Sequence, residues 1–255
     1  MNLIDTHTHL YLPEFDNDRD EAVERAAQNG ITGLLMPNID MYSVEAMLAV
    51  EDRYSGICHS MIGLHPTSIK EDYQHQLNEI EKVLREHDFV AIGEIGIDLY
   101  WDRTYQIEQM GAFRRQIVQA LSHDLPVVIH SREAFSEIFS VLDEFKGKGL
   151  RGVFHAFSGD LEIARRVVEE GFKLGIGGIV TFRNSGLDKV IRDIDPANLI
   201  LETDSPYLAP DPYRGRRNES AYLDIICRKL AEIYETDVEE IARITTDNAR
   251  KLFNI

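Results

Sequence analysis

Short apolar runs alternate along the chain with stretches whose hydrophobic residues recur at helical spacing. Leu3–Thr6, Thr32–Met36, His59–Gly63, Ala91–Ile95, Pro126–Ile129, Gly152–Phe154, Lys173–Ile176 and Leu199–Leu201 are the strand candidates. Most are continuous apolar runs, the pattern of parallel strands buried on both faces. Between them, Asp18 to Asn29 places Ala22, Val23, Ala26 and Ala27 on one face and runs into Gly30, which is suited to end a helix. Similar patterns run through Val44–Arg53, His75–Glu86, Gln106–Ser122, Glu133–Phe145, Leu161–Glu170, Leu187–Ile191 and Ala221–Tyr234. Eight strands, each followed by a helix, predict an α/β fold: a single (β/α)8 TIM barrel domain over residues 1–255. Val238 to Leu252 adds one or two C-terminal helices. A doubly wound open sheet has the same periodicity and stays open as an alternative.

Composition narrows the class. The chain has 255 residues, 44% of them hydrophobic, which suits one barrel with a core that needs no staples. Cys58 and Cys227 lie far apart in no metal-like spacing, so they are expected as buried apolar residues rather than a disulfide. The N-terminus lacks basic and apolar leader regions, and no apolar run approaches the ~20 residues of a membrane span. The expectation is a cytoplasmic protein with no membrane contact and no obligate protein partner. A formal net charge of −17 argues against a protein that coats nucleic acid through a broad basic face. It leaves room for an enzyme that grips a few phosphates through a local basic cluster and a metal.

The polar residues at the strand ends carry the chemistry. In barrel enzymes the active site lies at the C-terminal ends of the strands. There the sequence places His7 and His9, His65, Glu94, His130, His155 and Asp204. Residues i and i+2 of a strand point to one side, so His7 and His9 can converge on one ion. A lone histidine of this kind reads as a hydrogen-bonded core residue; recurrence at several strand ends favours metal binding. Glu94 sits in an apolar strand between Gly93 and Gly96, and a carboxylate buried alone there costs several kcal/mol unless it is paired or metal-bound. Asp204 can ligate a metal and accept a proton. Four histidines and two carboxylates exceed the needs of one tetrahedral ion, so the reading is two divalent ions, Zn²⁺, Mn²⁺ or Mg²⁺.

Six motifs in order make the chain resemble the TatD-type metal-dependent deoxyribonucleases, a branch of the amidohydrolase-like barrels. They are Ile4-Asp5-Thr6-His7-Thr8-His9-Leu10, Gly63-Leu64-His65-Pro66, Gly93-Glu94-Ile95-Gly96-Ile97-Asp98, Pro126-Val127-Val128-Ile129-His130-Ser131-Arg132, His155-Ala156-Phe157-Ser158-Gly159 and Leu201-Glu202-Thr203-Asp204-Ser205-Pro206-Tyr207. The resemblance implies that His7, His9, Glu94, His130, His155 and Asp204 are the metal ligands and that the activity is DNA hydrolysis. His65 then matches a family histidine near the substrate and is assigned to phosphate contact.

Around these, Arg132 can donate to a phosphate or form a rim ion pair, and Asp98 can orient a ligand histidine. Tyr100 and Trp101 can stack on a base or pack on the helix ring. The segment Pro212–Ser220 resembles the family's arginine-rich loop, with Ser220 where proline is usual. Arg214 and Arg216 are its candidate phosphate contacts, a solvated surface loop being the plainer reading. Ser220 is expected to cap the next helix.

The leading function is therefore a deoxyribonuclease in which a metal-activated hydroxide attacks phosphorus, with Asp204 and Glu94 as catalytic carboxylates. The alternative keeps the site and changes the bond to a small ester, lactone, amide or phosphoester. A non-catalytic binding module would need all six ligands to be vestigial.

Overall fold

Eight short parallel strands form the centre of the computed structural model, which describes residues 1–255. They are β1 (Leu3–Asp5), β2 (Ile31–Pro37), β3 (Cys58–Met61), β4 (Ile92–Asp98), β5 (Val127–Arg132), β6 (Gly152–Phe154), β7 (Lys173–Ile176) and β8 (Leu199–Leu201). Regular pairing runs β1-β2-β3 and β4-β5-β6-β7-β8. Two seams join these ladders. Gly93 N donates to Ile62 O at 2.9 Å and Ile62 N to Ala91 O at 3.2 Å, while Thr6 N donates to Leu201 O at 3.1 Å. The sheet is therefore a closed barrel and not an open doubly wound sheet.

Helices α1 (Arg19–Gln28), α2 (Val44–Arg53), α3 (Tyr73–Glu86), α4 (Gln106–Ser122), α5 (Phe135–Leu142), α6 (Leu161–Glu169), α7 (Leu187–Arg192) and α8 (Leu223–Tyr234) follow the strands in turn. A single further helix, α9 (Val238–Phe253), completes the chain. No helix is long and apolar enough to cross a membrane. Cys58 and Cys227 are buried and unpaired.

The barrel interior has two storeys. The lower is apolar: Ile4, Leu35, Met61, Ala91, Val128, Val153 and Ile200 meet inside the barrel, and Ala249, Leu252 and Phe253 of α9 close it from below. Thr246 Oγ1 pins α9 by donating to Asn2 O at 2.8 Å. The upper storey follows from the two-residue repeat of a strand. Two residues above Val128 stands His130, two above Val153 stands His155, and Ile200 leads to Glu202 and Asp204. In β4 the pairing is irregular between Ile92 and Ile95, so Ala91 and Glu94, three apart, both reach the interior.

The structure extends the expected strands where chemistry is carried. β4 continues to Asp98 and β5 to Arg132 because the two pair as far as Asp98 opposite Arg132. Gly96, at φ 141°, is required there: a Cβ would lie 2.1 Å from His130 O.

Phe253 is 3% exposed. Phe253→Ala is expected to lower the unfolding free energy by about 3 kcal/mol, since α9 cannot refill the space beneath the barrel. Urea unfolding of the variant checks this; an unchanged midpoint would show that the plug is dispensable.

Candidate metal centre

The upper storey gathers His7, His9, His65, Glu94, His130, His155 and Asp204 at the C-terminal mouth of the barrel. Glu94 lies at its middle, 3% exposed, with its two oxygens facing different partners. Oε2 is 3.2 Å from His7 Nε2 and 4.0 Å from His9 Nε2. Oε1 is 2.8 Å from His130 Nδ1, 3.4 Å from His65 Nε2 and 3.8 Å from His155 Nε2. Asp204 closes the ring, its Oδ1 lying 3.5 Å from His9 Nε2, 3.8 Å from His155 Nε2 and 3.9 Å from His7 Nε2. The rings of His7 and His155 stack at 3.4 Å.

Asp204 reaches this place from a left-handed residue, φ 58°, a conformation that Asp tolerates better than most. Its turn is held from below. Asn218 Nδ2 donates to Thr203 O at 2.8 Å and to Tyr207 O at 2.6 Å. Buried Asp5 accepts from Thr203 N at 2.9 Å and from Thr203 Oγ1 at 2.6 Å, which ties β1 to the segment after β8.

Three of the histidines have a polar partner close to the outer nitrogen. His9 Nδ1 is 3.0 Å from Tyr11 Oη, whose own hydrogen goes to Pro37 O at 2.6 Å, so the proton between them belongs to His9. His130 Nε2 is 2.9 Å from Asp98 Oδ2. His155 Nδ1 is 2.9 Å from Glu202 Oε1. His9 and His130 therefore turn an unprotonated nitrogen toward the centre whenever the ring is neutral. His65 is the opposite case. Its Nδ1 accepts the Thr67 amide at 3.2 Å, so neutral His65 carries its proton on Nε2 and points a donor inward. It stands within reach of Glu94 and His130, and these three form a further group able to hold a metal ion; with the proton on Nε2 His65 is a hydrogen-bond donor toward them.

The electrostatics calls for positive charge. Burial disfavours charged imidazole, yet Asp98 and Glu94 outweigh it at His130, pushed up to about 9. At His155 burial is outweighed by Glu202, Glu94 and Asp204, and the ring is pushed up to about 10. Burial also works against the Glu94 and Asp204 carboxylates, but the surrounding histidines hold both below their usual range. His7, buried and beside His155, is held down instead, and neither of its ring nitrogens has a hydrogen-bond partner. A donor set of imidazole and carboxylate with an orphaned buried histidine fits divalent cations.

Glu202 was not singled out from the sequence. It is buried beside His155 and also accepts the Ala156 amide at 2.5 Å. Gly175 leaves it room, since a Cβ there would sit 2.3 Å from its carboxylate. The signal was available: like Glu94, it is a carboxylate at the end of an apolar strand.

The arginine loop is divided. Arg217 binds Asp18 and lies over Phe15, and Arg25 meets Glu219 at 2.6 Å. Arg214 and Arg216 are exposed, over Phe182 and Tyr213, and neither lines the cleft above Glu94, whereas Arg132 does. Ser220 does not cap α8, which has Tyr222 at its start with no side-chain cap; a 3-10 turn, Ser220–Tyr222, intervenes. Asp18 likewise makes no capping bond to α1, because Arg25 and Arg217 occupy its carboxylate.

A family model for TatD-related DNases matches residues 4–254. The chain belongs to the TatD-related DNase family. It is an enzyme of the metal-dependent hydrolase class, as are its TatD relatives. The Bacillus subtilis protein YabD, described as an uncharacterized metal-dependent hydrolase, is 36% identical over 99% of each chain. A Pantoea ananatis TatD, described as a 3'-5' ssDNA/RNA exonuclease, is 31% identical over 99% of this chain and 100% of its own. The crystal structure of the Escherichia coli TatD homologue YjjV superposes with a TM-score of 0.93 at 31% identity, covering 99% of this chain and 98% of the other.

The Asp18 pairing makes a pH-dependent claim. Hydrogen bonds from Arg217, opposed by partial burial and supplemented by Arg25, lower its carboxyl from 3.8 to about 2. The stabilisation is present above the unfolded value and lost as pH falls toward 2. Because the pair is partly exposed, Asp18→Asn should cost about 1 kcal/mol at pH 7. Urea unfolding should show a smaller difference between variant and parent at pH 3; equal differences at both pH values would contradict the assignment.

Proposed function

We propose that this TatD-family chain is a phosphodiesterase acting on DNA, working at a centre where His7, His9, Glu94, His130, His155 and Asp204 would hold two divalent ions. The observation that carries the reading is the division of the Glu94 carboxylate, one oxygen toward His7 and His9 and the other toward His130 and His155. In this reading His7, His9, Glu94 and Asp204 hold one ion, and Glu94, His130 and His155 hold the other. Zn²⁺, Mn²⁺ and Mg²⁺ all suit such a donor set. The ions supply Lewis-acid polarisation of the phosphoryl group and a water acidic enough to react near neutral pH.

The chain's own residues do the rest. Asp204 is the group that takes the proton from the attacking water. His65 donates from Nε2 to a non-bridging phosphate oxygen, a role supported by the Thr67 amide at its Nδ1. Arg132, on the cleft wall, neutralises phosphate charge, and Arg214 and Arg216 meet phosphates farther along the strand. Residues 1–255 act as one catalytic unit in the cytoplasm, with no obligate protein partner.

The second reading, a small carboxylic ester, lactone, amide or phosphoester, draws on the net charge of −17 and on Arg132 as the one Lys or Arg lining the cleft. The description of the Pantoea relative favours nucleic acid. Purified enzyme supplied with each metal should cleave single-stranded DNA in preference to a panel of esters and lactones. Ester turnover without DNA cleavage would reverse the order of the two readings.

Variants separate the roles. Asp204→Asn should lower kcat by about two to four orders of magnitude, and unchanged turnover would remove Asp204 as the base. His65→Ala should lower kcat/KM roughly ten- to a hundredfold while bound metal, measured by elemental analysis, stays at the parent level; loss of metal would make His65 a ligand. Glu202→Gln should weaken metal binding about ten- to a hundredfold through the loss of His155 orientation. A metal titration that superposes on the parent's would refute that.

A further inference from the structure

We propose that Tyr100, Trp101 and Arg132 form a subsite for an unstacked nucleobase beside the metal centre, so that the enzyme grips single strands and not paired ends. The proposal rests on the phosphodiesterase reading and names a substrate contact within it.

Trp101 is 70% exposed and Tyr100 50% exposed, although both are large and apolar. They stand edge to face at 4.8 Å. The Arg132 guanidinium lies over both rings, 3.9 Å from the centre of Tyr100 and 5.1 Å from that of Trp101. Arg132 makes no ion pair with any carboxylate, so a rim salt bridge is not its role. An aromatic pair that served the core would be covered, as Phe154 is. Exposed apolar groups gathered at the lip of a polar cleft point to a ligand instead.

The place of the stack is set by the metal centre itself. Tyr100 and Trp101 follow directly on β4, and Asp98 Oδ1 accepts the Tyr100 amide at 3.0 Å. The other oxygen of the same carboxylate lies 2.9 Å from His130 Nε2. Asp98 thus orients a histidine of the cluster with one oxygen and the aromatic loop with the other. Trp101 and Arg132 line the same cleft, about 530 Å³, as Glu94 and Asp204. Across it Tyr207 and Leu208 are 47% and 41% exposed, leaving a polar floor between two apolar lips.

That layout fits a strand whose phosphate crosses the floor while a base lies on the lip. A base presents a π-face to an aromatic ring whatever its sequence, and a guanidinium adds a cation–π contact. In a duplex both faces of a base are covered by its neighbours, so a paired base cannot reach the stack without first being unstacked.

The chain has one tryptophan, so the emission of Trp101 reports on its own contact. The metal-loaded full-length enzyme would be titrated with three phosphorothioate-protected oligonucleotides: a single strand, an abasic strand of equal length and a blunt duplex. The base-bearing single strand should quench the emission, and the other two should leave it nearly unchanged. With cleavable single-stranded DNA, Tyr100→Ala and Trp101→Ala should raise KM roughly tenfold and change kcat far less, with Trp101→Phe restoring most of the affinity. Ile107→Ala, at another exposed apolar position, should behave like the parent. Equal quenching by the abasic strand, or an unchanged KM in Trp101→Ala, would overturn the subsite while DNA cleavage by the parent left the phosphodiesterase reading standing. Failure of the parent to cleave either DNA or bis(4-nitrophenyl) phosphate would overturn both.

Discussion

A carboxylate inside a closed barrel demands positive charge around it, and Glu94 organises the upper half of this structure through that demand. Burying an unpaired charge costs several kcal/mol, and a buried ion pair is favourable only when its remaining lone pairs are also satisfied. Here the two oxygens of Glu94 are shared between histidines from four other strand ends. The barrel makes this possible because closure brings the ends of β1 and β5, far apart in sequence, to different oxygens of one carboxylate. Below it an apolar layer sealed by α9 keeps water from reaching the charges from beneath. The polar centre is therefore open in one direction, toward the mouth and the substrate.

Around this centre stands a ring of groups whose work is to hold protons and backbones in place. Tyr11 and Asp98 stand at the outer nitrogens of His9 and His130 in hydrogen-bonding contact, Glu202 lies 2.9 Å from that of His155, and the Thr67 amide donates to the outer nitrogen of His65. The same imidazole side chain is thus framed differently from place to place, and in the proposed reading His9, His130 and His155 would serve as ligands and His65 as a donor. Asp5, Thr203 and Asn218 hold the left-handed turn that presents Asp204. A rigid outer ring of this kind is what keeps a metal centre in register with the bond it attacks.

Much of this was legible in the sequence, and the parts that were not share a cause. β6, β7 and β8 begin and end where their apolar runs do, and the seven residues of the centre all fall at strand ends that periodicity marks. β4 and β5 run longer than hydrophobicity suggests, because Asp98 and Arg132 are paired through backbone bonds that a hydropathy pattern does not record. Ser220 looks like a helix cap from its neighbours in sequence, but a 3-10 turn stands between it and α8. Asp18, just before α1, gives its carboxylate to Arg25 and Arg217 instead of to the helix end. The tautomer of His65 depends on the turn at Pro66–Ser68 that aims the Thr67 amide at the ring, and spacing alone cannot show it. Local pattern predicts elements well; it fails where a polar side chain chooses between a nearby partner and a distant one.

The central proposal is that the residues around Glu94 would hold two ions, one toward each of its oxygens. Anomalous diffraction from crystals soaked in Mn²⁺ or Zn²⁺, collected on either side of the metal's absorption edge, tests it most directly. The account predicts two peaks flanking the Glu94 carboxylate, one among His7, His9 and Asp204 and one beside His130 and His155, with His65 bound to neither. A single peak with Glu94 on one side only, or a peak ligated by His65, would contradict it.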